Sequence, residues 1–314
     1  MTKYLVTGGA GFIGCNLVRF ILEKGHDVVV LDDFSTGKRE NLTDIADRIT
    51  LIEGDVRDRS AVDQAVDGCK AIFHEAALGS VPRSIADPVQ SHDVNVNGTI
   101  TVLEAARAAD VKRIIFAASS SAYGNQVESP KHEGMVSQPI SPYAAGKIAC
   151  EAYMRAYASA YGLETLCLRY FNVFGPHQDP AGAYAAAIPA FISRLLHSES
   201  PIVYGDGEQS RDFCYIENVC EANWLAANAP AEACSGQVVN IACHSSTTLN
   251  EILALLGQLL GTDIPADYQP VRVGDVKDSL ADVSLAKETI GYEPKVFFAE
   301  GLTQAIDWYR ENLG

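Results

Sequence analysis

The chain is 314 residues long, 47 % apolar, and carries a formal charge of −16. That acidity argues against nucleic acid or an anionic membrane surface as a partner, and the length allows a large core with a smaller lobe beside it. No stretch approaches the roughly 18 apolar residues of a membrane span, and the eight cysteines show no CxxC spacing, so they read as free thiols of a reducing cytoplasm.

A first strand is predicted at residues 4–6, close enough to Met1 that the expectation is no signal peptide. It runs into Thr7-Gly8-Gly9-Ala10-Gly11-Phe12-Ile13-Gly14, and then into a helical pattern over 11–24 whose apolar face is Phe12, Ile13, Leu17, Val18, Ile21 and Leu22. Gly8 suits a tight turn, Gly11 a close approach of backbone to a pyrophosphate, and Gly14 close helix packing. The helix start adds free N–H groups and a positive dipole end. This is a dinucleotide-binding loop of the Rossmann type.

The next strand, 28–31, ends at Asp32, which lies 18 residues after Gly14, close to the spacing of a ribose-binding carboxylate. Such a carboxylate accepts from both ribose hydroxyls and repels a 2′-phosphate, which favours NAD over NADP. Asp33 competes for that role, and Lys38 and Arg39 stand near enough to receive a phosphate. After a third strand at 49–52, Asp55 and Val56 are expected to flank the adenine.

Strands at 71–74, 114–117 and 165–168 alternate with helical segments at 60–66, 94–109 and 142–161, the pattern of a doubly wound parallel α/β sheet. Beyond Asn172 the chain becomes loop-rich, with a further helix at 216–229, a strand at 238–241 and helices at 249–260 and 302–309. The expected division is residues 1–170 plus about 211–241 for the dinucleotide half, and 171–210 plus 242–314 for a smaller, partly discontinuous lobe. A ligand belongs in the crevice at the carboxyl ends of the strands.

Tyr143 and Lys147 stand four apart at the start of a helix, so both project from one face. A nearby ammonium favours the phenolate of a tyrosine that is otherwise too weak an acid to act as a base. Ser119, Ser120 and Ser121 follow the fifth strand, where a hydroxyl can bridge substrate and tyrosine. His74, Glu75 and His177 lack any metal-ligand spacing and read as structural, so no metal is expected.

The segments TGGAGFIG, AASSSAYG, YAAGK and RYFNVFG resemble the extended short-chain dehydrogenase/reductase family. HEAALGSVPRS, RYFNVFGPHQDPAGAYAAAIP, GDGEQSRDFCYIENV and GDVKDSLADVS are similar to UDP-hexose 4-epimerases, especially those acting on UDP-N-acetylglucosamine. The resemblance implies that Tyr143 takes the proton of the sugar 4-hydroxyl, that Ser119 relays it, and that Lys147 tunes Tyr143 and binds the cofactor ribose. Hydride from C4 is held on a tightly retained NAD and returned to the opposite face of a 4-keto sugar. It further implies substrate contacts at Ser80, Ser120 and Asn172, a diphosphate clamp of Arg211 and Arg272, Asp275 on the uridine ribose and Tyr204 by the uracil. Ser279, with Ala186 and Ala187 at the same end of the site, leaves room for an N-acetyl group where a tyrosine would narrow the pocket.

Dehydratases of this family carry Asp-Glu after the serine or threonine, and decarboxylases a Glu; Ser120 and Ser121 provide no carboxylate. A UDP-glucuronate 4-epimerase shares the central machinery and stays open, as does a non-catalytic NAD sensor, although sensors typically lack the tyrosine or lysine. In relatives the 94–109 and 142–161 helices form a homodimer interface.

Overall fold

Seven parallel strands form the centre of the computed structural model, which describes residues 1–179, 187–271 and 278–313. From one edge to the other they run Ile49–Glu53, Asp27–Asp32, Lys3–Thr7, Ala71–His74, Arg113–Ser119, Glu164–Tyr170 and Ser235–Ile241. Near-continuous apolar runs such as Val28-Val29-Val30-Leu31 suit strands that are covered on both faces. Successive side chains alternate between the two layers. Tyr4 and Val6 join the cluster under helices Phe12–Glu23 and Ile216–Asn228, whereas Leu5 joins the one under Arg59–Val66, Gly98–Ala108 and Pro142–Tyr161.

Lys3–Thr7 pairs with Asp27–Asp32 on one side and with Ala71–His74 on the other. The chain therefore builds outward in one direction and then in the opposite one. The split leaves a crevice at the carboxyl ends of these strands, where an open α/β sheet binds its ligand.

Helix Pro142–Tyr161 has the signals its sequence advertises: Ser141 accepts the Ala144 N–H at 3.2 Å, Pro142 starts the helix, and left-handed Gly162 ends it. The helix expected over 94–109 differs. Helical structure starts at Pro88–His92, capped by Asp87, passes through a π turn at Asp93–Asn97, and resumes as Gly98–Ala108. The π turn frees the Asn95 carbonyl to accept from the Thr99 hydroxyl at 2.6 Å and the Cys150 thiol at 3.2 Å.

Short strands build the smaller part. Ser210–Asp212 lies antiparallel to Ser246–Thr248 and parallel to Asp278–Ser279, while Ile202–Tyr204 pairs with Asp267–Gln269. Leu249–Leu260 opens with a capping box of Thr248 and Glu251, and Phe298–Leu313 closes the described chain. A single apolar cluster runs from Tyr4 in the sheet to Tyr309 in that last helix. All eight cysteines are buried, and none forms a disulfide.

Candidate active site

The glycine loop is locked by its own backbone. Gly8 has φ +69°, and a Cβ there would lie 2.7 Å from the Ala76 backbone. A Cβ on Gly14 would lie 2.1 Å from the Gly8 carbonyl oxygen, so Gly14 lets the helix press on the loop itself and not chiefly on the sheet. Gly11 caps the Phe12–Glu23 helix without a side-chain acceptor, which leaves the first-turn N–H groups of Phe12, Ile13 and Gly14 for an anion.

Asp32 is 7 % exposed and shapes this loop from below. One carboxylate oxygen accepts the Ala10 N–H at 2.9 Å and the other the Phe34 N–H at 2.8 Å. Burial nonetheless holds its pKa above the usual carboxylate range. Asp33 is exposed and caps the next turn through the Ser35 N–H at 2.9 Å. Both aspartates line one cleft with Gly8, Gly11, Gly37, Gly54, Val56, Glu75 and Leu78. Asp55 does not line it; its carboxylate turns into the fork of Arg57, which lowers its pKa. The two cations near enough in sequence to receive a 2′-phosphate are engaged elsewhere. Lys38 pairs with Asp179 at 3.0 Å, and Arg39 pairs with Glu53 while lying over the Phe34 ring. The cradle, the N–H groups and the Asp32 and Asp33 carboxylates fit an unphosphorylated dinucleotide.

Lys147 is only 3 % exposed. Its ammonium donates to the Ala117 carbonyl at 2.5 Å and lies 5.9 Å from the centroid of the Tyr143 ring. That bond ties the helix to the strand that ends at Ser119. The Ser119 Oγ accepts from the N–H of Ser121 at 3.2 Å and from its hydroxyl at 2.9 Å, which leaves the Ser119 O–H to donate outward. Ser120 stands beside it, at the start of the turn. Ser80 caps the short helix Val81–Ala86, and Ser84 on that helix accepts the Tyr143 N–H at 3.1 Å.

His74 bridges two threonines. Its Nδ1 lies 2.7 Å from the Thr7 hydroxyl and its Nε2 lies 3.0 Å from that of Thr99. Thr99 gives its proton to Asn95, so Nε2 carries the hydrogen and Nδ1 accepts; burial lowers the pKa of the ring to about 3. Glu75 corrects the expectation: it lines the dinucleotide cleft and accepts the Tyr170 hydroxyl at 2.8 Å. Its signal in the sequence was a carboxylate directly after an apolar strand.

In the smaller part, Arg211 pairs in register with Ser279, and Ser210 with Asp278. Neighbours in register share a face, so Arg211 and Ser279 point the same way. Ser210 and Asp278 point the other way, joined by a 2.7 Å hydrogen bond. Asp212 is fully buried and pins this sheet, accepting the N–H groups of Cys243 at 2.9 Å and Ala281 at 3.1 Å. Asn172, at φ +30°, donates to the Asp212 carbonyl at 3.0 Å and so joins the end of the main sheet to the Arg211 strand. Tyr204 is half-buried at the end of its strand, and Ala187 opens the helix Ala187–Leu196. Ala186, Arg272 and Asp275 lie outside the described residues. Among the described residues, no group of three or more His, Cys, Asp or Glu gathers as a metal site, and no helix is long and apolar enough to cross a membrane.

Residues 4–242 match the NAD dependent epimerase/dehydratase family. The chain is 37 % identical over 311 residues to a putative UDP-glucose 4-epimerase of Methanocaldococcus jannaschii, covering 98 % of each chain. Among solved structures, it matches the UDP-N-acetylglucosamine 4-epimerase of Methanobrevibacter ruminantium M1 in complex with UDP-N-acetylmuramic acid. The TM-score is 0.93 and the identity 38 %, over 99 % of this chain and 98 % of that one. The Thermus thermophilus UDP-glucose 4-epimerase complex with NAD gives a TM-score of 0.89 at 34 % identity, over 99 % and 100 % of the two chains.

Proposed function

Because this chain belongs to the NAD-dependent epimerase/dehydratase family, we propose that it inverts C4 of UDP-sugars and that its preferred pair is UDP-GlcNAc and UDP-GalNAc. NAD, when bound, supplies a reversible hydride acceptor. Tyr143 takes the proton of the sugar 4-hydroxyl, passed through the outward O–H of Ser119. Lys147 holds its charge 5.9 Å from the centre of the Tyr143 ring, and its bond to Ala117 keeps that charge in place. Arg211 takes the diphosphate of the substrate as a bidentate anion.

The observation that carries the reaction type is the serine turn. Ser120 and Ser121 stand where dehydratases need a carboxylate pair, and Ser121 is already used in orienting Ser119. Elimination across C5 and C6 lacks its acid and base, whereas proton transfer at O4 has both of its groups. The sugar preference rests on Ser279. It shares a face with Arg211, so a ligand diphosphate held there brings the sugar past a side chain small enough to admit an acetamido group.

The test is turnover without added NAD. Purified protein should interconvert UDP-GlcNAc and UDP-GalNAc, and Ser279→Tyr should abolish that pair while sparing UDP-Glc and UDP-Gal. Equal loss on both pairs would remove the assignment of Ser279, and turnover of UDP-glucuronate alone would favour the glucuronate epimerase. Absence of any turnover despite bound NAD would favour a sensor.

The exposed rings of Tyr153 and Tyr161 on helix Pro142–Tyr161 support a homodimer through this helix and Gly98–Ala108. Light scattering on Tyr161→Glu, expected as a monomer, tests it. The buried reduced cysteines support a cytoplasmic setting.

A further inference from the structure

Glu75 carries a carboxyl group that the proposed epimerisation does not use, yet the residue lines the dinucleotide cleft. Its backbone abuts the loop: its carbonyl carbon would be 3.0 Å from a Cβ on Gly8, the residue at the turn that receives the pyrophosphate. Its hydrogen-bond partner is neutral. Asn223 spends its two amide hydrogens on the Tyr170 oxygen at 2.8 Å and the Val219 carbonyl at 2.9 Å, so the Tyr170 proton goes to Glu75. Lys147, whose charge reaches Glu75, has its ammonium on the Ala117 carbonyl. Asp32 and Asp33 already bring two carboxylates to the same cleft. An ionised Glu75 would add a third carboxylate to the cleft of an anionic dinucleotide, offset by the Tyr170 phenol and the Lys147 charge, which is a costly arrangement in a desolvated site.

We propose that Glu75 is protonated while the dinucleotide is held and that loss of this proton loosens the dinucleotide, so cofactor retention falls with rising pH through this one carboxyl. The inference rests on the NAD reading above. The surroundings are consistent with Glu75 as the responding group. Tyr170 on its strand, Cys220 on helix Ile216–Asn228 and Cys15 on helix Phe12–Glu23 are all pushed upward by burial, and His74 is pushed down to about 3. Glu75 itself is raised to about 7, by burial first and against the Tyr170 hydrogen bond and the Lys147 charge.

The experiment measures NAD affinity of the full chain between pH 6.5 and 8.5, by stripping the protein and following rebinding by calorimetry. Wild type should bind roughly tenfold more weakly at the upper limit, as linkage to one proton dictates. Glu75→Gln should keep the tight affinity across the range. Glu75→Leu should be equally flat, which separates the effect from any folding defect of one variant. Tyr170→Phe removes a donor that favours the carboxylate, so its loss of affinity should shift to higher pH. A wild-type profile without slope, or the same slope in Glu75→Gln and Glu75→Leu, would overturn the proposal while leaving NAD binding intact. No binding at any pH would overturn the NAD reading and this inference with it.

Discussion

Replacing Gly14 by alanine tests the glycine cradle with the least change to the rest of the molecule. The added Cβ would stand 2.1 Å from the Gly8 carbonyl oxygen and 2.8 Å from the Gly8 carbonyl carbon and the Gly9 Cα, whereas real Cβ contacts essentially never fall below 3.0 Å. All three neighbours are backbone, so no side chain can swing aside. Either the loop or the helix start must retreat by about 0.9 Å or more, the difference between the shortest of these distances and that limit. Overpacking of this kind costs about 1–3 kcal/mol of stability, a loss that a chain with a core this large survives. Function suffers more, because a misplacement of about 1 Å at a binding constellation costs on the order of 100-fold. Gly14→Ala should therefore fold, with a lowered urea midpoint, and bind NAD about 100-fold more weakly by calorimetry. A variant that keeps wild-type NAD affinity would show that the loop does not form the pyrophosphate seat.

Lys147→Met keeps the length of the buried side chain but removes the charge under Tyr143. Epimerisation should fall by about 100-fold to 10,000-fold in kcat, with a modest drop in thermal midpoint from the lost bond to Ala117, and an unaltered kcat would exclude Lys147 from the chemistry. Arg169 and Glu151 form a buried ion pair at 2.7 Å, with the Arg169 guanidinium 4.7 Å over the Tyr123 ring. Arg169→Ala leaves the carboxylate uncompensated and should cost about 3–5 kcal/mol in denaturant titration. Arg169→Met with Glu151→Leu should recover most of that, and a double variant as unstable as the single one would refute the account. Burial raises the pKa of Asp212 to about 6 against the ordinary 3.8. Its contribution to stability is therefore present below the ordinary value and lost as pH rises through about 6. From pH 4 to 7, unfolding free energy should fall in wild type relative to Asp212→Asn by on the order of 3 kcal/mol; parallel curves would refute the shift.

Features that depend on neighbours in sequence were legible from the sequence. The glycine loop, Asp32 at its end-of-strand position and the Tyr143/Lys147 pair all follow from turn geometry, strand length and helical periodicity. What escaped depends on contacts between distant segments. Ser84 supports Tyr143 from 59 residues away, and Glu75 meets Tyr170 across 95. Helical periodicity also misled at the 94–109 helix: an amphipathic pattern gives no sign of a π turn whose carbonyl is shared by a threonine and a cysteine from another helix. The register that sets Ser279 beside Arg211 joins strands of two and three residues, too short to carry a periodic signal.

The apolar cluster that runs from Tyr4 to Tyr309 makes one frame of the main sheet and the last helix. A seam between lobes would let the protein open like a clamshell, but here the last helix is bolted in by the Tyr309 hydroxyl on the Gly175 carbonyl and by Phe298 against Phe174. Prising the halves apart would wet the centre of the molecule. If the chain inverts C4 as proposed, a frame closed in this way leaves the tethered sugar itself to present both faces of that carbon to one hydride source.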